Sequence, residues 1–329
     1  MLLPRVRSYI SPFCTFMSSF HDTKKAIVKN ANNILDIEMK RALEFLKPIF
    51  EVDPAVHINY FLNLLPPHKI PLWSDASGFE IDSKNPTPGM LGSVFIPPFV
   101  KTSQLIWKVT AWKDIVPLLE RELVHGDNNH SWSRSDFSPE NITICFLELA
   151  AAMLTLYEML LLCIQSKKFF KRFSRKIIIM KIDNQNVCSW INKGRCPFYP
   201  WHHLMEVFFL AELALQCQFK AIWVPSAKQF ADRITRGELN ITYNNQILKA
   251  TTHSRKAIAS LVKHLVHGVD IKLSDYFERF SANKRRRNVK VCSPPSRLPS
   301  SGGPSLRLRG ECVVKLDLFG DGRFVFPHF

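Results

Sequence analysis

The chain has 329 residues, 46% of them hydrophobic, and a formal net charge of +16. This length and apolar content are enough for about two domains with a real core. The eight cysteines include no C-x-x-C pair and several lie in apolar runs, which excludes a disulfide framework and favours an intracellular protein. The positive charge predicts a polyanionic partner, most commonly a nucleic acid.

Membrane insertion and export are not expected. The most apolar stretch, Leu147 to Ile164, contains Glu148 and Glu158. A bilayer span resists both charges, whereas a buried helix of a soluble domain tolerates a charge at a functional end. Near the N-terminus, Pro4 and Pro12 interrupt the apolar core that an export signal needs.

The first predicted elements are helical. Apolar residues at three- and four-residue spacing, with charges between them, predict helices over residues 24–35 and 37–50. Pro48 and Pro54 end this region. We interpret residues 1–66 as one helical segment.

Strand signals follow. Three runs with strand character predict three consecutive antiparallel strands, at residues 70–74, 90–96 and 105–110. The next segment, 112–141, is polar and contains Gly126 and Asn128, so we expect a long irregular insertion.

Helices and strands then alternate. The predicted order is a buried helix at 146–165, a strand at 176–182, a short helix at 186–192, a helix at 201–216, a strand at 219–224 and a last helix at 227–236. Glycines follow the short helix and the last helix, at Gly194 and Gly237, where helices commonly end. This order predicts an α/β fold with a mixed five-stranded sheet flanked by helices, over residues 67–240.

Two further segments follow that domain. Residues 241–283 are expected to be helical, with Ile258, Leu261 and Leu265 on one face. Residues 284–329 are rich in basic residues, proline, serine and glycine, and are expected to form a disordered basic tail. The cluster Lys284 to Arg287 is interpreted as a nuclear localisation signal or a non-specific phosphate contact, so the protein is expected in the nucleus or the cytoplasm.

Four acidic residues occupy special places in this scheme. Asp75 follows the first strand, Glu148 begins the long helix, Asp183 ends the strand at 176–182, and Asp232 lies in the last helix. Carboxylates at strand ends and helix starts can converge on one point. Hard divalent cations need oxygen ligands, and two such ions can activate water and stabilise the leaving oxygen in phosphodiester cleavage. The four acids are therefore predicted to be metal ligands and catalytic residues.

Each acid alone has a simpler interpretation. Asp75 could be a turn residue beside Gly78, and Asp183 could cap the helix that follows it. Glu148 could interact with the helix dipole, and Asp232 could be an ordinary surface acid. A metal site is favoured because all four acids occur together, in this order along the chain.

The motifs around these acids resemble the ribonuclease H domain of retroelement reverse transcriptases, the DIRS-type group in particular. They read Ser-Asp-Ala-Ser, Glu-Leu-Ala-Ala, Asp-Asn and Ala-Asp-Arg-Ile-Thr-Arg-Gly in chain order. The resemblance covers residues 70–240 and implies a ribonuclease H-like fold. The helical segment 1–66 also resembles the connection that joins the polymerase to ribonuclease H in these elements. It also implies that Asp75, Glu148 and Asp183 hold one Mg²⁺ and that Asp75 and Asp232 hold a second, with Mn²⁺ as a substitute.

The implied reaction is endonucleolytic cleavage of the RNA strand in an RNA–DNA hybrid, with selectivity from 2′-hydroxyls and hybrid shape. Six residues are predicted to contact the nucleic acid: Ser77, Asn184, Trp190, Lys193, Arg195 and Arg236. The alternative is that the aromatic side chain is core and the cations are solvated.

Two other functions stay open. One is an inactive nucleic-acid-binding remnant, which the insertion at 112–141 makes plausible. The other is a transposase or integrase core on the same fold. The fourth acid, Asp232, and the motif Ala-Asp-Arg-Ile-Thr-Arg-Gly around it argue against this function. No polymerase motif such as Tyr-x-Asp-Asp lies upstream. The chain therefore resembles a fragment or a remnant of a larger polyprotein, and the polymerase domain of such a polyprotein is a candidate partner.

Overall fold

A five-stranded mixed sheet is the framework of the protein. The computed structural model describes residues 56–57, 64–80, 87–98, 100–125, 137–138, 141–194, 196, 202–267 and 313–314. The strands are β1 Leu72–Ala76, β2 Met90–Phe95, β3 Ile106–Ala111, β4 Ile177–Ile182 and β5 Gln218–Trp223, in the spatial order β3-β2-β1-β4-β5. β3, β2 and β1 pair antiparallel, whereas β1, β4 and β5 pair parallel. The predicted α/β class and mixed five-stranded sheet are confirmed.

The helices are α1 Val116–His125, α2 Ile144–Gln165, α3 Lys167–Phe173, α4 Gln185–Lys193, α5 His202–Leu215, α6 Asp232–Thr235 and α7 Arg255–His267. Short 3₁₀ turns cover Thr102–Gln104, Trp112–Asp114 and Ser226–Lys228. Three small antiparallel strand pairs complete the description: Phe79–Glu80 with Thr87–Pro88, Asn240–Tyr243 with Gln246–Lys249, and Val56–His57 with Val313–Val314.

Helix α2 is the centre of the core on one face of the sheet. The Thr143 side chain caps its first turn by accepting a hydrogen bond from the Phe146 amide. Almost every residue from Phe146 to Leu160 is buried, because the sheet packs on one side and α7 on the other. The helix is long and apolar enough to cross a membrane by length and composition, but 89% of its most apolar window is buried inside the structure.

The second face of the sheet carries a smaller core. Val94, Trp107 and Val109 of the sheet pack there against Ala231 and Ile234 of the segment that contains α6. Gly92 makes this contact possible. A Cβ atom on Gly92 would lie 2.7 Å from Thr235 Cγ2 and 2.9 Å from Ile234 Cγ2, so any side chain would push α6 away from the sheet.

Buried hydrogen bonds tie the segment before α7 to this framework. Thr155 of α2 donates to Ser93 Oγ at 2.7 Å, and Ser93 Oγ also bonds to His253 Nε2 at 2.8 Å. The other ring nitrogen of His253 bonds to Thr110 Oγ1 at 2.8 Å. Burial lowers the pKa of His253 to about 3, so its ring stays neutral in the folded protein.

Three expectations about elements need correction. The segment 112–141 is not irregular throughout, because a 3₁₀ turn and α1 occupy its first part and bury Trp112, Ile115 and Leu119. The predicted last helix at 227–236 is instead a 3₁₀ turn followed by the single-turn α6. The helical segment expected over 241–283 begins with a strand pair, and its helix starts at Arg255.

Several predictions fall outside the residues that the structure describes. The structure does not describe the predicted helices at 24–35 and 37–50, the end of the helical segment after His267, or the basic cluster Lys284 to Arg287. Of the predicted basic tail it describes only Val313–Val314. The division of the chain into a connection, a domain, a helical segment and a tail therefore stays a prediction.

Candidate metal centre

Strand register brings the first two acids together. β1 and β4 are parallel neighbours in which Trp73 lies opposite Lys181. Two residues further on, the same register places Asp75 beside Asp183, at the carboxyl ends of both strands. In open α/β sheets, this is the edge where ligands commonly bind.

Helix α2 adds the third acid. Glu148 lies in its second turn and points at this edge, because its Oε1 accepts a hydrogen bond from the Ala76 amide at 3.2 Å. Ligand oxygens of Asp75, Glu148 and Asp183 all lie within 4.8 Å of one another. The structure thus brings together three of the four acids that the sequence singled out.

Glu148 is only 3% exposed, and half of its carboxyl group lacks a hydrogen-bond donor. Its Oε2 atom is buried, and no hydrogen-bond donor of the described residues reaches it. Burial first, then the charges of Asp75 and Asp183, and a hydrogen bond between the protonated carboxyl group and Asp183 raise the pKa of Glu148 well above its ordinary value. A buried carboxylate without a donor is costly, so the ionised form of this group needs a cation.

Asp75 is also buried, at 2% exposure. Its Oδ2 accepts a short hydrogen bond from the Thr235 hydroxyl of α6. Burial raises the pKa of Asp75 to about 7, although the Thr235 hydrogen bond opposes the shift. The negative charges of Asp183 and Asp232 raise it further. Repulsion among these acids is what a divalent cation would relieve.

Asp183 is held by the segment after β5. Ser226 Oγ donates to Asp183 Oδ2 at 2.9 Å, and Trp223 Nε1 donates to the Asp183 carbonyl oxygen at 2.8 Å. Gln229 lies nearby and is 3% exposed; its side chain donates to the Ser74 carbonyl oxygen at 2.9 Å. These bonds fasten the Ser226–Lys228 turn over the ends of β1 and β4.

The fourth acid lies beside the cluster but is not part of it. Asp232 is the first residue of α6, and its Oδ1 accepts a hydrogen bond from Arg236 Nε at 2.6 Å, one turn along the chain. Asp232 lines the same cleft as the other three acids, a space of about 440 Å³.

The six residues predicted to contact nucleic acid lie in different places. Ser77, Asn184 and Arg236 line the cleft. Lys193 is exposed at the end of α4, and Arg195 lies outside the described residues. The prediction for Trp190 is corrected: its side chain is only 6% exposed and belongs to the core, so no ring face is left for a base.

Sequence reasoning missed Thr235, Ser226 and Gln229. Thr235 stands in the Ala-Asp-Arg-Ile-Thr-Arg-Gly motif, where a hydroxyl next to Ile234 on the buried side of a short helix could have been noticed. Ser226 and Gln229 carry no comparable signal, since their role depends on strands that lie far away in sequence.

The donor set suits a hard divalent cation. All its atoms are carboxylate oxygens, the ligands that Mg²⁺ prefers and that Mn²⁺ accepts. Glu148 Oε2 supplies an independent indication, because it is buried, unpartnered and adjacent to the other two acids.

Comparisons of the chain with protein-family models, with curated proteins and with solved structures found no match.

Proposed function

We propose that residues 67–240 form a ribonuclease H-like domain that cuts the RNA strand of RNA–DNA hybrids with divalent metal ions. The observation that carries this proposal is the unpartnered Glu148 Oε2, buried against the carboxyl groups of Asp75 and Asp183. A protein that binds no cation has little reason to gather three acids where two of them have raised pKa values.

The topology supports the proposal. Three antiparallel strands, a long helix and two parallel strands give the order β3-β2-β1-β4-β5. The acids stand on β1, on α2, at the end of β4 and on α6, as the resemblance to retroelement ribonucleases H implies. Since a fold alone does not determine a function, the acids carry more weight than the strand order.

Mg²⁺ or Mn²⁺, when bound, would supply activation of water and stabilisation of the leaving oxygen. Asp75, Glu148 and Asp183 would hold one ion, and Asp75 and Asp232 a second. Thr235 and Ser226 orient the carboxylates of Asp75 and Asp183 by donating hydrogen bonds to them. Such supporting groups fix the ligand geometry before the substrate arrives.

The same cleft can receive a phosphodiester backbone. Arg236 is 70% exposed at the cleft and uses its Nε for Asp232. A guanidinium group has further donors in a fork that matches phosphate oxygens. The hydroxyl of Ser77 and the side chain of Asn184 line the cleft near it. The chain's net charge of +16 favours a polyanionic substrate.

The test is cleavage of labelled substrates by the full chain with Mg²⁺ or Mn²⁺. We expect cleavage of the RNA strand of an RNA–DNA hybrid, and none by Asp75→Asn. Hybrid binding without cleavage would favour the inactive remnant. Cleavage of DNA ends in preference to the hybrid would favour a transposase or integrase core. Undiminished cleavage by Asp75→Asn would refute the proposed site.

A further inference from the structure

An exposed tryptophan stands beside the acid cluster. Trp223 is the last residue of β5 and is 45% exposed. Among the Phe, Tyr and Trp side chains whose burial the structure describes, Trp223 is the only exposed one. Phe219 and Ala221, which share its side of β5 because side chains alternate along a strand, are buried at 4% and 3% exposure.

The Trp223 side chain is fixed in place although it is exposed. Its Nε1 donates to the Asp183 carbonyl oxygen at 2.8 Å, and the Val224 amide donates to the Ile182 carbonyl oxygen at 2.9 Å. The indole N–H is therefore hydrogen-bonded to the backbone of Asp183, whose side-chain carboxylate is a candidate metal ligand.

Stability alone gives a weak reason for this arrangement. A tryptophan contributes to a core chiefly by burying a large apolar area, and Trp223 leaves nearly half of its surface in water. Water could satisfy the Asp183 carbonyl oxygen at this rim as well as an indole N–H does. What the indole adds is a rigid, flat and solvent-facing apolar surface next to the cluster.

We propose that Trp223 is a stacking platform for a nucleobase of the strand that is cut, about one nucleotide step from the scissile phosphate. This inference rests on the proposed function, because the acid cluster defines where the scissile phosphate lies. Every base has a π face, so such a contact adds affinity without selecting a sequence.

The contact also has a consequence for the substrate. A base within an intact duplex is already stacked on its neighbours, so it can reach Trp223 only after it leaves the stack. The platform therefore favours sites where the strand is frayed, bulged or next to a single-stranded end. Hybrids with such a junction should be bound more tightly than uninterrupted hybrids of the same length.

The experiment measures binding of a hybrid with a single-stranded junction to the full chain without divalent metal, so that no strand is cut. We expect Trp223→Leu to weaken binding by about 5- to 150-fold, the range for loss of one base–aromatic stack. Trp223→Phe keeps a ring but loses the N–H, so it should retain most of the affinity. Ile247→Ala changes another exposed apolar residue, 77% exposed on the strand pair before α7, and should bind as wild type does.

A substrate series locates the contact. Hybrids that carry one abasic nucleotide at successive positions should lose affinity for the wild-type protein at one position beside the cut, and Trp223→Leu should be insensitive there. Equal losses in Trp223→Phe and Trp223→Leu would show that the hydrogen bond to Asp183 matters and would overturn the stacking proposal.

The two proposals fail in different ways. If the wild-type protein cuts hybrids with Mg²⁺ and Trp223→Leu binds them as tightly as wild type, the stacking proposal is overturned and the proposed nuclease function stands. Wild-type protein that neither binds nor cuts any hybrid overturns both.

Discussion

Two buried glutamates on the same helix have opposite surroundings. Glu148 and Glu158 are 3% and 4% exposed and lie ten residues apart on α2, about 15 Å along its axis. Glu158 Oε2 pairs with Lys108 Nζ at 2.8 Å, and its Oε1 accepts a hydrogen bond from the Ser254 amide at 2.6 Å. Glu148 has one backbone donor for Oε1 and none for Oε2, and its neighbours are two other acids.

The difference separates a structural charge from a candidate ligand. Both oxygens of Glu158 have partners, and these partners fasten β3 and the segment before α7 to the core helix. Native proteins rarely bury a polar atom without a partner, so the exception at Glu148 needs an explanation. A cation held jointly with Asp75 and Asp183 is the explanation that we propose.

The largest expected contrast between the two glutamates is in catalysis. Glu148→Gln keeps an acceptor for the Ala76 amide but removes a metal-ligand charge. It should lower the rate of hybrid cleavage by about 10³-fold or more, equivalent to several kcal/mol. Glu158→Gln is the matched control and should change the rate at most a few-fold at a temperature where it is folded. Similar cleavage rates for the two variants would contradict the assignment of Glu148 as a metal ligand and Glu158 as a structural residue.

Stability should show the reverse contrast. Glu158→Gln leaves Lys108 without its counter-ion, and the variant should lose about 3 kcal/mol in free energy of unfolding, at the low end for a broken buried pair because Lys108 is 19% exposed. In metal-free protein, Glu148→Gln removes an acid that burial and its acidic neighbours keep from ionising, and the variant should be at least as stable as wild type. Urea unfolding with chelator present measures both. A large loss in Glu148→Gln would mean that Glu148 is a structural residue.

The pH dependence of stability sharpens the same comparison. Because the pKa of Asp75 is raised from 3.8 to about 7 in the folded state, the folded protein binds more protons than the unfolded chain in this range. Metal-free stability should therefore fall as pH rises, with Asp75 contributing roughly 2–3 kcal/mol between about pH 5 and about pH 8. Glu148, whose pKa is also raised, adds to the fall. Thermal unfolding at several pH values measures this fall. Asp75→Asn should make the fall smaller, and saturating Mg²⁺ should reverse it. An unchanged slope in Asp75→Asn would contradict the assignment.

The smallest expected effect concerns a supporting residue. Thr235→Val removes the hydrogen bond to Asp75 but keeps the shape of the side chain. Its Mg²⁺ affinity should fall about 10- to 100-fold, as for other groups that orient a metal ligand. Thr235→Ser keeps the hydroxyl and should restore most of the affinity. If the two variants bind Mg²⁺ equally, Thr235 acts only through packing against Gly92.

Much of the fold could be predicted because its signals are local. The strand predicted at 176–182 contains four consecutive apolar residues, Ile177 to Met180. The short helix after Asp183 ends just before Gly194, which has a positive φ of 61°. Two elements were missed for reasons that involve distant contacts. The run 227–236 has a helical pattern, but Gln229 bonds to strand carbonyl oxygens and breaks the helix. Helix α1 was missed because the segment 112–141 is polar as a whole, and because α1 packs against α7, which lies far along the chain.

The candidate site was only partly accessible from the sequence. All four acids stand in motifs, so they could be named in advance. The sequence could not show that both oxygens of Glu158 have partners while Glu148 Oε2 has no donor, because the partners lie 50 and 72 residues away along the chain. It also could not reveal that Asp232 pairs with Arg236.

Direct measurement of metal binding tests the central claim. Mn²⁺ can be titrated into wild-type protein, Glu148→Gln and Glu158→Gln at neutral pH, with the free ion followed by its electron paramagnetic resonance signal. The account predicts that wild type and Glu158→Gln bind Mn²⁺ with similar affinity and that Glu148→Gln binds it at least about 10-fold more weakly. Equal binding by all three proteins, or no binding by wild type, would contradict it.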